Sequence, residues 1–293
     1  MKGLLMDSIC LKAYAKINLG LDVIGRRPNG YHDVRMIMQT IDLFDTLHIT
    51  KNDSGRLTLS IDRADLPADQ NNLIYRAAKL LIDEFHITDG IHIDLKKSIP
   101  IAAGMAGGST DAAATFVGLN QLFDLDLSKK QLMERGVTLG ADIPYCIMQG
   151  TALSEGIGEI LTPIDPMPDC SILIAKPPIG VSTKYVYEHL QLDSSTEHPK
   201  IDALIHEIHE QNVHGVAANL GNILESVTLT KYPIIESLKK QMLEHGALGA
   251  LMSGSGPTVF GIYDDPDTAS KALNALQTTG LANDIFLTRC YNH

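Results

Sequence analysis

Three glycines and two hydroxyl residues separate an apolar strand-like stretch from an alanine-rich helical one. They lie in the run Pro100-Ile-Ala-Ala-Gly104-Met-Ala-Gly107-Gly108-Ser109-Thr110-Asp111-Ala-Ala-Ala114. No other stretch constrains the chain as much. Glycine lets backbone come close to a ligand and adopt positive φ. A helix that starts behind such a loop turns free N–H groups and a positive dipole end toward whatever lies in front of it. That is an anion site, and the usual anion in so long a glycine turn is a nucleotide phosphate. The sequence therefore predicts strand, phosphate loop and helix in that order.

The other glycine signatures fail. There is no Gly-Lys dipeptide, which excludes a Walker-type loop. Gly156-Ile-Gly158 and Gly254-Ser-Gly256 lack the third glycine of a dinucleotide fingerprint. The net charge of −11, with no long basic cluster, argues against a nucleic-acid partner. The four cysteines Cys10, Cys146, Cys170 and Cys290 are scattered without a CxxC pair and read as reduced thiols. No apolar run reaches the ~20 residues of a membrane span, and Met1-Lys-Gly-Leu-Leu-Met6 is cut short by Asp7. A cytoplasmic, membrane-free protein is the expectation, with monomer and homodimer both open.

A chain of 293 residues suits two modest domains, expected over 1–160 and 161–293 with a proline-rich crossover at Pro163 to Pro168. Alternation predicts strands over Ser8 to Leu21, Leu57 to Ile61 and Ile91 to Leu95. Helical spacing predicts a helix from Asn72 to Phe85 with Asn71 or Asn72 as cap, one from the glycine loop to about Phe123, and one over Lys129 to Leu139. A strand is expected near Tyr145 to Met148, then a buried strand over Ser171 to Ala175. Helices follow over Ile201 to His214, Ala217 to Leu224 and Ile234 to His245, and a strand over Thr258 to Tyr263. Strands dominate the first half and helices thicken the second, an α+β pattern with two lobes. His206-Glu-Ile-His209-Glu210 imitates a zinc motif, but its histidines are three apart where that motif needs four. It reads as a solvated helix face.

Four stretches together resemble the GHMP kinases, the superfamily of galactokinase, homoserine, mevalonate and phosphomevalonate kinases. The Pro100 to Ala114 loop resembles their second motif. Ala13-Tyr-Ala-Lys16-Ile-Asn18-Leu-Gly-Leu21 is similar to the first, and Leu251-Met-Ser-Gly-Ser-Gly-Pro-Thr-Val-Phe260 to the third. Arg27-Pro-Asn-Gly30-Tyr31-His32-Asp-Val resembles a segment of the branch that acts on 4-diphosphocytidyl-2-C-methyl-D-erythritol. Thr110 stands where the family often has a second serine, with the hydroxyl kept.

The resemblance implies a two-lobed fold, with an N-terminal lobe like ribosomal protein S5 domain 2, a ferredoxin-like C-terminal lobe and the active site in the cleft between them. It implies ATP and Mg²⁺, and phosphorylation of the 2-hydroxyl of that cytidine substrate in the non-mevalonate route to isoprenoid precursors. Pro100, Ile101, Ala102, Ala103, Gly104, Met105, Ala106, Gly107, Gly108, Ser109 and Thr110 would wrap the triphosphate, with Ser109 or Thr110 reaching the metal. By themselves those hydroxyls equally suit N-capping.

The resemblance also implies that Asp142 accepts the hydroxyl proton and Lys16 supplies the adjacent cation. Taken alone, an aspartate before proline is more often a turn residue, and a lysine on an alternating strand usually faces out. Asn18 shares the Lys16 side of its strand and could orient the same hydroxyl. Tyr31 and His32 would recognise cytosine, with Tyr187 closing over it and Tyr185 as a rival. Thr183 would touch the diphosphate. Gly254, Ser255 and Gly256 would line the substrate site, or be a plain helix-to-strand turn. Asn72 and Lys97 enter as adenine-pocket residues on resemblance alone. Two other readings stay open: another small-alcohol kinase of the homoserine or mevalonate type, which would lack Gly30-Tyr31-His32, and a non-catalytic ligand-binding homologue, which would have lost Lys16 or Asp142.

Overall fold

The computed structural model describes residues 7–28, 30–193 and 196–292. The readings of Met1 to Met6 and of Asn29 lie outside the described residues. In chain order the elements begin β1 (Ser8–Arg26), β2 (His32–Asn52), β3 (Leu57–Ile61), α1 (Leu73–Phe85), β4 (Gly90–Lys96), α2 (Gly107–Leu122), α3 (Lys129–Gly136) and α4 (Ile143–Met148). Next come β5 (Thr151–Gly156), β6 (Ile160–Pro163), β7 (Ser171–Lys176), α5 (Thr183–His189), α6 (Ile201–His209), α7 (Val213–Ala218), β8 (Gly221–Asn222) and α8 (Glu225–Lys231). The last are α9 (Pro233–Glu244), β9 (Gly249–Met252), β10 (Val259–Tyr263), α10 (Pro266–Thr279) and β11 (Asp284–Arg289).

Two compact units emerge, each discontinuous in sequence. The first comprises the described part of Met1–Ala15 with Leu43–Ile99 and Ala106–Met148; the second comprises Lys16–Asp42, Pro100–Met105 and the described part of Gln149–His293. These are packing units, a different quantity from the family domains expected over 1–160 and 161–293.

In the first unit the strand order is β3-β4-β2-β1. β4 runs antiparallel to β2, with Ile93 opposite Ile49, and parallel to β3. The alternation in β4 buries Ile91, Ile93 and Leu95, which are 0% exposed. Asn72 caps α1, its side-chain oxygen accepting the Ile74 N–H at 2.9 Å, and Ala77, Ala78 and Leu81 form the buried stripe. Gly118 of α2 allows a close approach to strand side chains: a Cβ there would lie 2.5 Å from Leu11 Cδ1 and 2.6 Å from Ile49 Cδ1. The expected strand at Tyr145 to Met148 is instead helix α4. Pro144 sits in its first turn, where the missing N–H costs nothing. Ile143, Tyr145, Cys146 and Ile147 are all buried, and so short an apolar run carries no period that separates helix from strand.

In the second unit an antiparallel sheet of order β11-β7-β10-β9 forms the core, with Ile172, Leu173, Ile174, Phe260 and Ile262 fully buried. β7 matches its expectation, with Pro177 and Pro178 following its end. The helix expected over Ile201 to His214 stops at His209. Gln211 turns left-handed (φ 54) and Asn212 caps a new helix, α7. The helix expected over Ala217 to Leu224 ends at Ala218, because Gly221 and Asn222 pair in parallel with Gly20 and Leu21 of β1. His209 bonds Asp165 at 2.6 Å, and among the described residues no group of three or more His, Cys, Asp or Glu could hold a metal ion.

Candidate active site

In the second unit, Lys16 and Asn18 sit two apart on β1 and share a face, as a period of two requires. Both are buried, with Asn18 at 0% exposure. The Lys16 ammonium donates to Asn18 Oδ1 at 2.7 Å, and Asn18 Nδ2 donates to Met36 Sδ at 3.3 Å. The Lys16 backbone N–H bonds the Met105 carbonyl at 3.2 Å, so β1 is tied to the last part of the Pro100–Met105 segment. An ammonium held this way has its direction fixed by its neighbours.

The two glycine motifs meet within this unit. Gly104 is left-handed (φ 71), and a Cβ on it would lie 2.3 Å from the Ser253 carbonyl oxygen and 3.1 Å from that of Gly256. Only glycine fits. Ser253 Oγ donates to the Gly104 carbonyl at 3.0 Å. A Cβ on Gly254 would be 3.6 Å from Asn18 Oδ1, which brings the second glycine turn beside the Lys16–Asn18 pair. Thr183 and Ser255 share a hydroxyl–hydroxyl bond of 2.8 Å.

His32 and Tyr187 also come together, with ring centroids 5.2 Å apart and planes tilted by 41°. Tyr31 is 58% exposed. Burial, helped by Arg26, pushes the His32 imidazole below the ordinary histidine range, so at neutral pH it presents one donor and one acceptor. Tyr185 is engaged elsewhere: it stacks on His189 at 3.8 Å, and the Lys231 ammonium lies 3.3 Å from its ring centroid.

The first unit carries Ala106 onward, with α2 at its head. Ala102 (φ 51), Gly104 and Ala106 (φ 58) are left-handed, every second residue of the loop. Ala106 supplies no side-chain cap to α2, so the cap residue satisfies none of the first-turn N–H groups with its side chain. Thr110 is 1% exposed and donates its hydroxyl proton to the Tyr14 carbonyl at 2.7 Å. Ser109 is half-buried. A Cβ on Gly108 would be 3.7 Å from Leu73 Cδ1, so the first turns of α1 and α2 adjoin. Asn72 is spent on capping and on a 2.8 Å bond from Nδ2 to the Pro67 carbonyl.

Lys97 lies beneath the head of α2: a Cβ on Gly107 would be 3.2 Å from its ammonium. It bonds Asp45, and Asp111 at 2.9 Å, with all three side chains at most 5% exposed. Asp45 Oδ1 also accepts the N–H groups of Ser98 (2.6 Å) and Ile99 (2.8 Å). The cluster thus ties together the residues on either side of the 100–110 loop. Burial opposes the lysine charge, but Asp111 and Asp45 outweigh it and its pKa stands above the ordinary value. Burial, and then the charge of Asp45, push Asp111 well above the usual carboxylate range, and its Oδ1 has no hydrogen-bond partner. The sequence reading missed Asp45 and Asp111. Asp111 had a signal in its position within the glycine motif; Asp45 had none. Asp142 immediately precedes α4, half-buried, its carbonyl accepting the Cys146 N–H at 3.0 Å. It belongs to the first unit and Lys16 to the second.

Comparison with known proteins follows the same motifs. Residues 72–150 match the GHMP kinases N terminal domain and residues 204–281 the GHMP kinases C terminal domain. A 4-diphosphocytidyl-2-C-methyl-D-erythritol kinase of Lachnoclostridium phytofermentans is 54% identical over 286 residues, spanning 98% of each chain. A kinase of the same name from Clostridium perfringens is 48% identical over 282 residues, spanning 96% of this chain and 98% of its own. Among solved structures, a 4-(cytidine 5'-diphospho)-2C-methyl-D-erythritol kinase superposes with a TM-score of 0.83 at 30% identity, over 97% of this chain and all of its own. The mevalonate kinase of L. major, in complex with R-mevalonate, reaches 0.74 at 15% identity, over 100% of this chain and 99% of its own, a likeness of fold.

Proposed function

The chain belongs to the GHMP kinase family, and on that premise we propose that it transfers the terminal phosphoryl group of ATP to the 2-hydroxyl of 4-diphosphocytidyl-2-C-methyl-D-erythritol. The products are the 2-phosphate and ADP, in the non-mevalonate route to isoprenoid precursors. The observation that carries this reading is similarity from end to end with kinases of that name. No helix among the described residues is long and apolar enough to cross a membrane, and we place the enzyme in the cytoplasm.

Phosphoryl transfer demands positioning and charge neutralisation more than covalent chemistry. The acceptor oxygen bonds to the γ-phosphorus, the bond to the β-phosphate oxygen breaks, and ADP leaves. The hydroxyl proton goes to Asp142, the general base of this proposal, as the oxygen's acidity rises. Lys16, oriented by Asn18, stabilises the charge on the transferring group. His32 reads the cytosine edge and Tyr187 covers its face. The His32–Tyr187 contact supports Tyr187 over Tyr185, whose ring is already covered by His189 and Lys231. Thr183 and Ser255 approach the diphosphate.

The left-handed residues of the phosphate loop hold the triphosphate of ATP. Mg²⁺, when bound, neutralises phosphate charge. Ser109, half-buried, would offer it a hard oxygen, whereas the Thr110 side chain is almost fully enclosed. The ATP-binding part is assigned to 1–160 and the substrate-binding part to 161–293. A coupled ADP-release assay against a panel of acceptors tests the reading. The cytidine substrate should surpass homoserine and mevalonate by orders of magnitude in kcat/KM; turnover of either small alcohol in its place would overturn it.

A further inference from the structure

The second glycine turn is held by side chains that the sequence reading did not single out. Asn222 Nδ2 donates to the Met252 carbonyl and to the Gly254 carbonyl, each at 2.8 Å, while its Oδ1 accepts the Leu224 N–H at 3.0 Å. Glu225 Oε1 accepts the Met252 N–H at 2.9 Å, and its Oε2 pairs with Lys239 at 2.7 Å. Thr228 Oγ1 reaches the Ser255 carbonyl at 3.4 Å, and the Ser253 carbonyl accepts the Gly256 N–H at 3.0 Å. All four carbonyls from Met252 to Ser255 are therefore bonded away. The N–H groups of Met252, Ser253 and Gly256 are bonded too. Among the described residues, those of Gly254 and Ser255 have no acceptor, although both residues are buried. Buried donors of this kind call for a partner.

Asn222 is also the residue of β8 that pairs with Leu21 of β1, the strand that bears Lys16 and Asn18. One buried residue thus links the turn, through its side chain, to the strand of the candidate cation, through its backbone. We propose that Asn222 and Glu225 are positioning residues: they fix the carbonyls of the turn so that the Gly254 and Ser255 amides face an anionic phosphoryl oxygen of the bound substrate. This rests on the kinase reading above and adds to it two residues that touch no reacting atom. A flipped peptide in the turn would replace a donor by a carbonyl and repel the same oxygen, so a small backbone change has a large kinetic effect.

The test uses the full chain. Asn222→Leu keeps the branched shape and deletes both donor hydrogens and the acceptor. It should lower kcat/KM for the cytidine substrate by about 10²-fold, leave the Kd of a non-hydrolysable ATP analogue unchanged, and speed amide hydrogen exchange in residues 252–256. Glu225→Gln keeps an oxygen acceptor for Met252 but loses the ion pair, whereas Glu225→Leu loses both. The glutamine variant should retain turnover that the leucine variant loses, and this pair carries the test should Asn222→Leu not fold. Wild-type kinetics in Asn222→Leu, equal loss of ATP and substrate binding, or a glutamine variant no better than the leucine one would overturn the proposal. Failure of the wild-type protein to phosphorylate the cytidine substrate would sink the kinase reading instead; the exchange rates would still decide whether the two side chains hold the turn.

Discussion

Replacing Gly104 by alanine perturbs the point where the two glycine motifs touch. Two costs add. A side chain at φ 71 carries the left-handed penalty of roughly 1–2 kcal/mol. Its Cβ would also stand 2.3 Å from the Ser253 carbonyl oxygen, well inside van der Waals contact, and backbone on both sides leaves no flexible tip to yield. Overpacking of this sort costs about 1–3 kcal/mol. The sum, about 2–5 kcal/mol, should lower Tm by about 3–8 °C for a chain of this size. Relief requires the loop and the Ser253 turn to part, which also breaks the 3.0 Å bond from Ser253 Oγ to the Gly104 carbonyl. Because geometry is most of what the enzyme contributes to phosphoryl transfer, kcat should fall about 10²-fold. Thermal unfolding and steady-state kinetics read the two effects separately. Ala102→Gly is the control: it relieves a left-handed alanine (φ 51) and should be neutral or stabilising by about 1 kcal/mol. A Gly104→Ala protein with wild-type Tm and kcat would refute the packing argument.

Asp142→Asn should cut kcat by roughly 10²-fold or more while calorimetry shows an ATP analogue still binding; near-normal turnover removes Asp142 from the chemistry. Tyr187→Ala should weaken the cytidine substrate by about 1–3 kcal/mol through lost stacking, and Tyr185→Ala by much less; equal effects on KM would reverse the assignment. Ser109→Ala should raise the Mg²⁺ concentration needed for half-maximal rate, whereas Thr110→Val should act on stability by about 1 kcal/mol through the lost bond to Tyr14; a metal dependence that moves with Thr110 alone would exchange their roles. Asp111→Asn should flatten the pH dependence of Tm. Burial holds the Asp111 pKa above its unfolded value, so native stability falls as pH rises from the unfolded carboxylate range toward that raised pKa, and asparagine removes this slope. A slope of Tm against pH unchanged between about pH 4 and 8 would contradict it.

What the sequence disclosed depended on whether the physics was local. The glycine motif marked left-handed backbone at Gly104 alone, since Gly107 and Gly108 are helical and the other left-handed loop residues are Ala102 and Ala106. The Asn71-Asn72 pair forecast the start of α1, because capping acts within a few residues. Helix α4 was misread since its burial against other helices, not its apolar spacing, decides its conformation. The helix expected over Ala217 to Leu224 failed because pairing with β1 is a long-range event that captures Gly221 and Asn222. In the site, a period of two gave the shared face of Lys16 and Asn18, but Lys16 itself was singled out by resemblance, since a lysine on an alternating strand usually faces out and here it is buried. Asp45 was not legible, for it meets Lys97 across 52 positions of sequence. Tyr185 and Tyr187 were indistinguishable as letters; only the helical rotation between them sends one to His189 and the other to His32.

Product identity tests the central claim most directly. The protein is incubated with ATP, Mg²⁺ and 4-diphosphocytidyl-2-C-methyl-D-erythritol, and the mixture is followed by phosphorus NMR. With the substrate 13C-labelled at C2, the account predicts one new phosphomonoester signal split by that carbon, with the cytidine diphosphate resonances intact and one ADP formed per phosphomonoester. ADP without that phosphomonoester, or a phosphate attached to a different hydroxyl, would contradict it.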